Sequence, residues 1–316
     1  MTSRPADPID DLWNRLSSAQ DVARSVRDRG GPELRDLVLR KTSDKTRVYC
    51  GELAGGDVYL KCYLTGDVSE IVGNCLAEQA RVAAQMTGPG ARLAEVLWAQ
   101  QAAGMILTRA VPGIEVARLF EDGQVDSVMP PVAAWLMAYL GPDRVVDGFS
   151  APFWIARRNA ADLGHLAPSD RILLRAALDL QRDRARHLGG AMTLKARIPS
   201  EFAPQNLTLD AGGGAGPVVW GYDIEGTYVQ PVARAVARFA LASERRLPGG
   251  GPRRFGLLRA VLDPLLDALA PDAETGRTLP FILADSLIEA VVLGYGGDDS
   301  LPGYRAALTA ILDEGG

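Results

Sequence analysis

The sequence predicts a two-lobed α+β protein in which a strand-rich first lobe precedes a mainly helical second one. Three observations predict it. The chain has 316 residues, more than one hydrophobic core usually spans. Short strand-like runs fill its first third, and beyond Val111-Pro112-Gly113 the apolar spacing turns helical. Ala54-Gly55-Gly56 joins two of the strand-like runs, a hairpin signal because glycine tolerates the positive φ of tight turns.

The elements follow in order. Residues 8–29 have helical spacing (Ile9, Leu12, Trp13, Leu16, Val22, Val26) and form an N-terminal extension, residues 1–32. The first lobe, residues 33–110, carries strands at 36–40, 47–53, 57–64, 93–99 and 105–108, expected as one five-stranded antiparallel sheet. Its helix runs over 69–86 with Ser69 as N-cap. The second lobe, residues 111–316, reads as helices at 131–140, 153–163, 170–187 (capped by Ser169), 231–243, 252–269, 279–293 and 301–312. Within it, Leu207-Thr208-Leu209-Asp210 and residues 218–222 form a hairpin. Gly212-Gly213-Gly214 and Gly249-Gly250-Gly251 read as surface turns.

Composition narrows the function. With 47% hydrophobic and 23% charged residues the chain is an ordinary globular protein. A net charge of −5 without a basic cluster argues against nucleic acid. No apolar run reaches a membrane-spanning length, and Met1 to Asp11 lacks the apolar core of a secretory signal. Three cysteines, Cys50, Cys62 and Cys75, without paired spacing suit a reducing cytoplasm. Two histidines, His165 and His187, are too few for His-based triads or metal centres. From residue 200 onward 15 acidic residues face 9 basic ones, which reads first as a solvated acidic surface and second as attraction for a cationic substrate.

One stretch carries chemistry. Between Ser200 and Glu225 the chain places Glu201, Asn206 and Asp223 around a loop and hairpin, the residue types that position a nucleophile and hold metal against phosphates in transfer from Mg-ATP. Asp223 ends an apolar strand, a suitable place for a hard-cation ligand, because Mg²⁺ takes one or two carboxylates plus phosphate and water. Lys61 lies in the apolar strand Val58-Tyr59-Leu60-Lys61-Cys62-Tyr63-Leu64 and must find a partner or reach solvent. Glu78, in the following helix, is its expected partner, with Glu70 the rival. Ser43 and Thr46, in a turn without glycine, offer hydroxyls to a phosphate but no Walker loop.

In this order, Lys61, Glu78 in Leu76-Ala77-Glu78-Gln79-Ala80, the run Met105 to Gly113, Glu201-Phe202-Ala203-Pro204-Gln205-Asn206 and Tyr222-Asp223-Ile224-Glu225 resemble the aminoglycoside phosphotransferase and choline kinase family, a branch of the protein-kinase-like fold. The resemblance spans roughly residues 33–245. It implies that Lys61 contacts the α- and β-phosphates of ATP, Glu78 anchors Lys61, and Arg109 to Val111 offer backbone groups to adenine. Asn206 and Asp223 would bind Mg²⁺, and Glu201 would stand where the base orients a hydroxyl of a small-molecule acceptor.

Three departures accompany it. Pro199-Ser200-Glu201 stands where the family has His-Gly-Asp. The helix beginning near Val232-Ala233-Arg234 lacks the family's Asp-Leu-Ala start, and a histidine of an early helix in the second lobe is missing. The expected function is ATP- and Mg²⁺-dependent phosphorylation of a small-molecule hydroxyl. A nucleotide-binding pseudokinase is the competing reading, because Glu201 replaces Asp, and a ligand-free helical scaffold is the third.

Overall fold

In the computed structural model, the residues described are 18–159, 163–212, 216–225, 228–247, 251–269, 273–294 and 301–314. The N-terminal part of the first expected helix, the end of the helix expected over 153–163, and parts of both glycine runs lie outside them. The chain runs through α1 (Ala19–Asp28), β1 (Arg35–Thr42), β2 (Thr46–Leu53), β3 (Gly56–Tyr63), α2 (Val68–Gln85), β4 (Ala91–Leu93), β5 (Val96–Gln100) and β6 (Met105–Arg109). It continues with β7 (Ile114–Glu115), α3 (Val116–Glu121), α4 (Val125–Leu140), β8 (Val145–Gly148), α5 (Ala151–Asn159), α6 (Pro168–His187), β9 (Met192–Arg197), β10 (Leu207–Asp210) and β11 (Val218–Gly221). The last elements are β12 (Val229–Pro231), α7 (Ala233–Glu244), the short pair β13 (Arg253–Arg254) and β14 (Leu257–Leu258), α8 (Arg259–Ala268), α9 (Ala273–Leu293) and α10 (Leu301–Glu314).

Two compact units result. The first comprises the chain up to Ala84, Leu93–Pro112 and Trp220–Gly226; the second holds the remainder. The returning piece Trp220–Gly226 is a correction to the sequence reading, which placed it in the helical lobe. Residues Gln85–Arg92, expected in the first lobe, group with the second unit.

The first unit is built on a five-stranded antiparallel sheet in the order β1-β2-β3-β6-β5. Its strands alternate faces, and that period sorts the core. Val58, Leu60 and Cys62 of β3 are fully buried with Val22 and Val26 of α1 on one side. On the other, Tyr63 and Ile106 pack with Val68, Val72 and Cys75 of α2. Lys61 therefore projects to the α2 side. The helix starts one residue earlier than the sequence suggests, and Asp67, not Ser69, caps it, its Oδ1 accepting from the Glu70 amide at 3.0 Å. A strand expected over 93–99 is in fact two, β4 and β5.

In the second unit α7 packs on α8 and α9, and α9 packs on α6 and α10. A three-stranded antiparallel sheet, β12-β9-β8, was not foreseen, because β8 and β12 are too short to show a period. Helix α6 begins at Pro168 after Ala167, so Ser169 lies in its first turn and makes no cap. Helix α4 runs through Pro130 and Pro131, held by Val128, Met129, Val132, Trp135, Leu136 and Tyr139, all buried. Among the described residues no helix is long and apolar enough to cross a membrane.

Gly113 marks the turn into the second unit with φ of +93°, and a Cβ there would meet the Leu209 carbonyl oxygen at 2.5 Å. Beside it β7 pairs with β10, Ile114 opposite Leu209. Gly113→Ala is expected to destabilise by on the order of 2 kcal/mol, from left-handed strain and backbone crowding together. A lower urea midpoint with unchanged far-UV circular dichroism would report it, and an unaltered midpoint would contradict the close approach.

Candidate functional site

The first unit gathers four polar side chains around Lys61. Its ammonium donates to Oδ1 of Asp223 in a short bond and to Oε1 of Glu225 at 2.7 Å. Tyr63, two residues along β3 on the same face, donates its hydroxyl to the same Glu225 oxygen at 3.4 Å and lies 3.6 Å from the Cys75 sulfur. Asp223 reaches this position because the backbone after β11 turns left-handed, with φ of +57° at Asp223 itself. Asp tolerates that region better than most residues. Buried Ile224 then fixes the turn, so that Asp223 and Glu225 share one partner.

Electrostatics follow from this arrangement. Burial pushes the Lys61 ammonium down, but Asp223 and Glu225 outweigh it and the net shift is upward. Burial, with Cys75 and Glu225 adding to it, pushes the Tyr63 phenol up. The expected Lys61–Glu78 pair is absent. Glu78 is occupied by Arg81 one turn on in α2, whose Nε and Nη2 reach its two oxygens at 3.0 and 2.5 Å. A guanidinium fork in the same helix matches a carboxylate on both oxygens, and the two carboxylates of 223 and 225 satisfy the lysine. Glu70 does not bond Lys61 either.

Two further expectations concern backbone and hydroxyl donors. At the end of β6 the Arg109 amide donates to the Glu95 carbonyl and the Ala110 amide to the Asp57 carbonyl, each at 2.9 Å. The Val111 amide has no hydrogen-bond partner among the described residues. Arg109 also pairs its Nε with Glu95 at 2.9 Å. Ser43 and Thr46 close the β1–β2 turn. The Ser43 hydroxyl accepts from the Thr46 amide at 3.0 Å and sits 3.2 Å from the Thr46 hydroxyl.

The second unit holds Glu201 and Asn206. Phe202 is buried, stacked on Trp135 with ring centres 5.8 Å apart and tilted against Phe239 at 4.5 Å. This anchor fixes the loop from inside and leaves Glu201 exposed, its carboxylate without a partner among the described residues. Asn206 folds back across the loop, its amide nitrogen donating to the Glu201 carbonyl at 2.9 Å. Its side-chain oxygen keeps its acceptor capacity. Arg238 of α7 donates to the Ser200 carbonyl at 2.8 Å, a second tie on the loop.

Glu225 stands in the sequence only as the end of Tyr222-Asp223-Ile224-Glu225. Its signal was the Asp-x-Glu spacing, which only the left-handed turn at Asp223 brings to one point. Nothing local in the sequence distinguishes Tyr63, Arg81 and Arg238 from surface or core residues.

No protein-family model matches the chain, and no curated protein is similar to it in sequence. Solved structures are similar in fold. Aminoglycoside phosphotransferase APH(4)-Ia matches with a TM-score of 0.65 at 14% identity, covering 95% of this chain and 100% of its own. A choline/ethanolamine kinase family protein from Mesorhizobium loti gives 0.56 at 14% identity over 96% of this chain and 94% of its own. The choline kinase LicA from Streptococcus pneumoniae gives 0.56 at 11% identity over 93% and 98%. The chain thus has the fold of aminoglycoside phosphotransferases and choline kinases, an α+β protein-kinase-like fold.

The raised Lys61 value fixes a sign. A group bound more tightly to its proton in the folded state stabilises fully below its unfolded pKa, about 10.4 for lysine, and loses that contribution as pH rises through the folded value. The stability difference between the wild type and Lys61→Met, measured by urea unfolding, is therefore expected to be constant from pH 7 to about 10 and to shrink above it. A difference that widens with alkali would refute the pairing.

Proposed function

We propose that the protein is a small-molecule kinase that transfers the γ-phosphate of Mg-ATP to a hydroxyl of its acceptor. The observation that carries this reading is the Lys61–Asp223–Glu225 cluster, a cation and two carboxylates delivered by segments far apart in sequence. The fold similarity supports it. A thermostable mutant of APH(4)-Ia was solved as a ternary complex with AMP-PNP and hygromycin B, and aminoglycoside 2'-phosphotransferase-IIIa as a GDP complex.

The donor set suits magnesium. Asp223 and Glu225 each give Lys61 one oxygen and keep the other without a protein partner among the described residues. One ammonium against two carboxylates leaves the cluster negative. Among the described residues no group of three His, Cys, Asp or Glu forms a complete cage. A magnesium ion there would take its remaining positions from phosphate oxygens and water. Asp223 and the Asn206 side-chain oxygen would hold Mg²⁺, which when bound neutralises charge on the phosphates.

Each residue then has a task. Lys61 exchanges a carboxylate for phosphate oxygens of the nucleotide, and Glu225 keeps it oriented. The unbonded Val111 amide donates to the adenine edge, the role that the amides of Arg109 and Ala110 have given up. Glu78 supports α2 through Arg81 and reaches the phosphates only indirectly. Ser43 and Thr46 shape the turn over which phosphate would pass. Glu201 accepts the proton of the acceptor hydroxyl, and its fixed loop limits the misplacement that its extra methylene relative to Asp introduces.

The pseudokinase reading retains one specific support, the replacement of Asp by Glu at residue 201. The two readings separate in one experiment. Thermal melts are expected to rise with ATP only when Mg²⁺ is present, and to lose most of that rise in Lys61→Met and Asp223→Asn. ADP release over a panel of hydroxyl compounds is expected from the wild type and to fall ~10²- to 10⁴-fold in Glu201→Gln, whose ATP-dependent melt stays intact. A silent wild type that gains activity as Glu201→Asp would establish the pseudokinase instead.

A further inference from the structure

The exposed Glu201 carboxylate bonds nothing among the described residues, so its direction is set by the backbone beneath it. That backbone is held at both of its peptide units. Arg238 donates from Nη1 to the Ser200 carbonyl at 2.8 Å, and this oxygen belongs to the peptide that enters Glu201. Asn206 donates from Nδ2 to the Glu201 carbonyl at 2.9 Å, the oxygen of the peptide that leaves it. A peptide unit is planar and rigid, so restraining both units restrains the φ and ψ between them. The direction of the Glu201 Cα–Cβ bond follows, and only the side-chain torsions stay free.

The two ties differ in what carries them. Asn206 ends a tight turn, Pro204–Asn206, inside the loop itself, its own amide donating to the Ala203 carbonyl at 3.0 Å. It therefore moves with the loop. Arg238 comes from the middle of α7, where Ala235, Val236, Ala237 and Phe239 are fully buried, so its guanidinium is carried by a rigid element. The next residue, Phe239, meets the Phe202 ring with centres 4.5 Å apart. Ser200 and Phe202, on either side of Glu201, are thus held by consecutive residues of one helix. The Ser200 hydroxyl oxygen is buried without a hydrogen-bond partner, so that side chain adds no tie of its own. A charged donor on a carbonyl makes a stronger bond than a neutral one, which favours arginine for the task.

We propose that Arg238 is a positioning residue for phosphoryl transfer: by holding the peptide ahead of Glu201 it aims that carboxylate at the acceptor hydroxyl. This rests on the kinase reading for the transfer, while the clamp on the loop stands on the hydrogen bonds alone. Arg238 acts through Glu201 and has no part in holding nucleotide or metal. Its loss therefore lowers kcat and leaves KM for ATP unchanged. Lysine at this position keeps a charged donor but not the planar fork, so it restores part of the effect. Asn206 makes a poorer test, because its side-chain oxygen is also assigned to Mg²⁺.

Two arms test it on the full chain. In the first, amide hydrogen exchange over residues 199–206 is expected to be faster in Arg238→Met than in the wild type, with exchange in α9 unchanged. Equal exchange over the loop overturns the clamp. In the second arm, kcat for ADP release is expected to fall on the order of 10- to 10²-fold in Arg238→Met, with KM for ATP unchanged and partial recovery in Arg238→Lys. Added to Glu201→Gln, the same substitution is expected to cost no more than about twofold further, because the group it aims is already gone. A full multiplicative loss in that background, or a raised KM for ATP, overturns the positioning role. Should Arg238→Met fail to fold, Arg238→Gln serves in its place. A wild type that releases no ADP with any compound overturns the kinase reading, and with it the positioning role, while hydrogen exchange still decides the clamp.

Discussion

A lysine on the inner side of a sheet needs counter-charge, and the first unit is arranged around supplying it. The alternation of β3 sends Val58, Leu60 and Cys62 to one face and commits Lys61 to the other, beneath α2. A partly buried ammonium without a partner is expensive. Its carboxylates arrive from 162 and 164 residues further along the chain, so the segment Trp220–Gly226 has to return to this unit after most of the second has been made. The left-handed turn at Asp223 is the local cost of presenting two carboxylates to a single nitrogen.

The second unit solves a different problem by different means. Glu201 is exposed, and apolar contact holds its loop from below. Phe202 is locked between Trp135 and Phe239, Asn206 spans the loop, and Arg238 ties down Ser200. Flat aromatic rings lose little rotamer freedom when buried, which makes them good anchors for a short loop. Deeper in the same unit, Glu289 collects three guanidiniums, from Arg157, Arg158 and Arg234. Among the described residues, Lys61 thus faces two carboxylates, while three guanidiniums share Asp285 and Glu289.

Identities of 11–14% to structures of the same fold show how little of the sequence the architecture requires. Apolar period, a few glycine turns and a handful of polar residues in the right order are sufficient, because many side chains of similar volume fill the same core. Residue roles are more fragile than the fold. Glu78 occupies the expected place in α2 and is buried, yet its oxygens belong to Arg81.

The sequence by itself determined the five-stranded sheet, the helical character of the chain beyond Gly113, and the candidate residues Lys61, Glu201, Asn206 and Asp223, since strand alternation, glycine turns and loop chemistry are local properties. It also fixed the Asp-x-Glu spacing at 223 and 225. Tertiary structure alone decided which acid Lys61 meets, that Trp220–Gly226 joins the first unit, that Ser43 and Thr46 satisfy each other, and that β8, β9 and β12 form a sheet. It alone gathered Arg157, Arg158 and Arg234 on Glu289 as well. Each of these depends on pairs of residues far apart in the chain, and a hydrogen bond or ion pair of that kind leaves no periodic trace in either partner's neighbourhood.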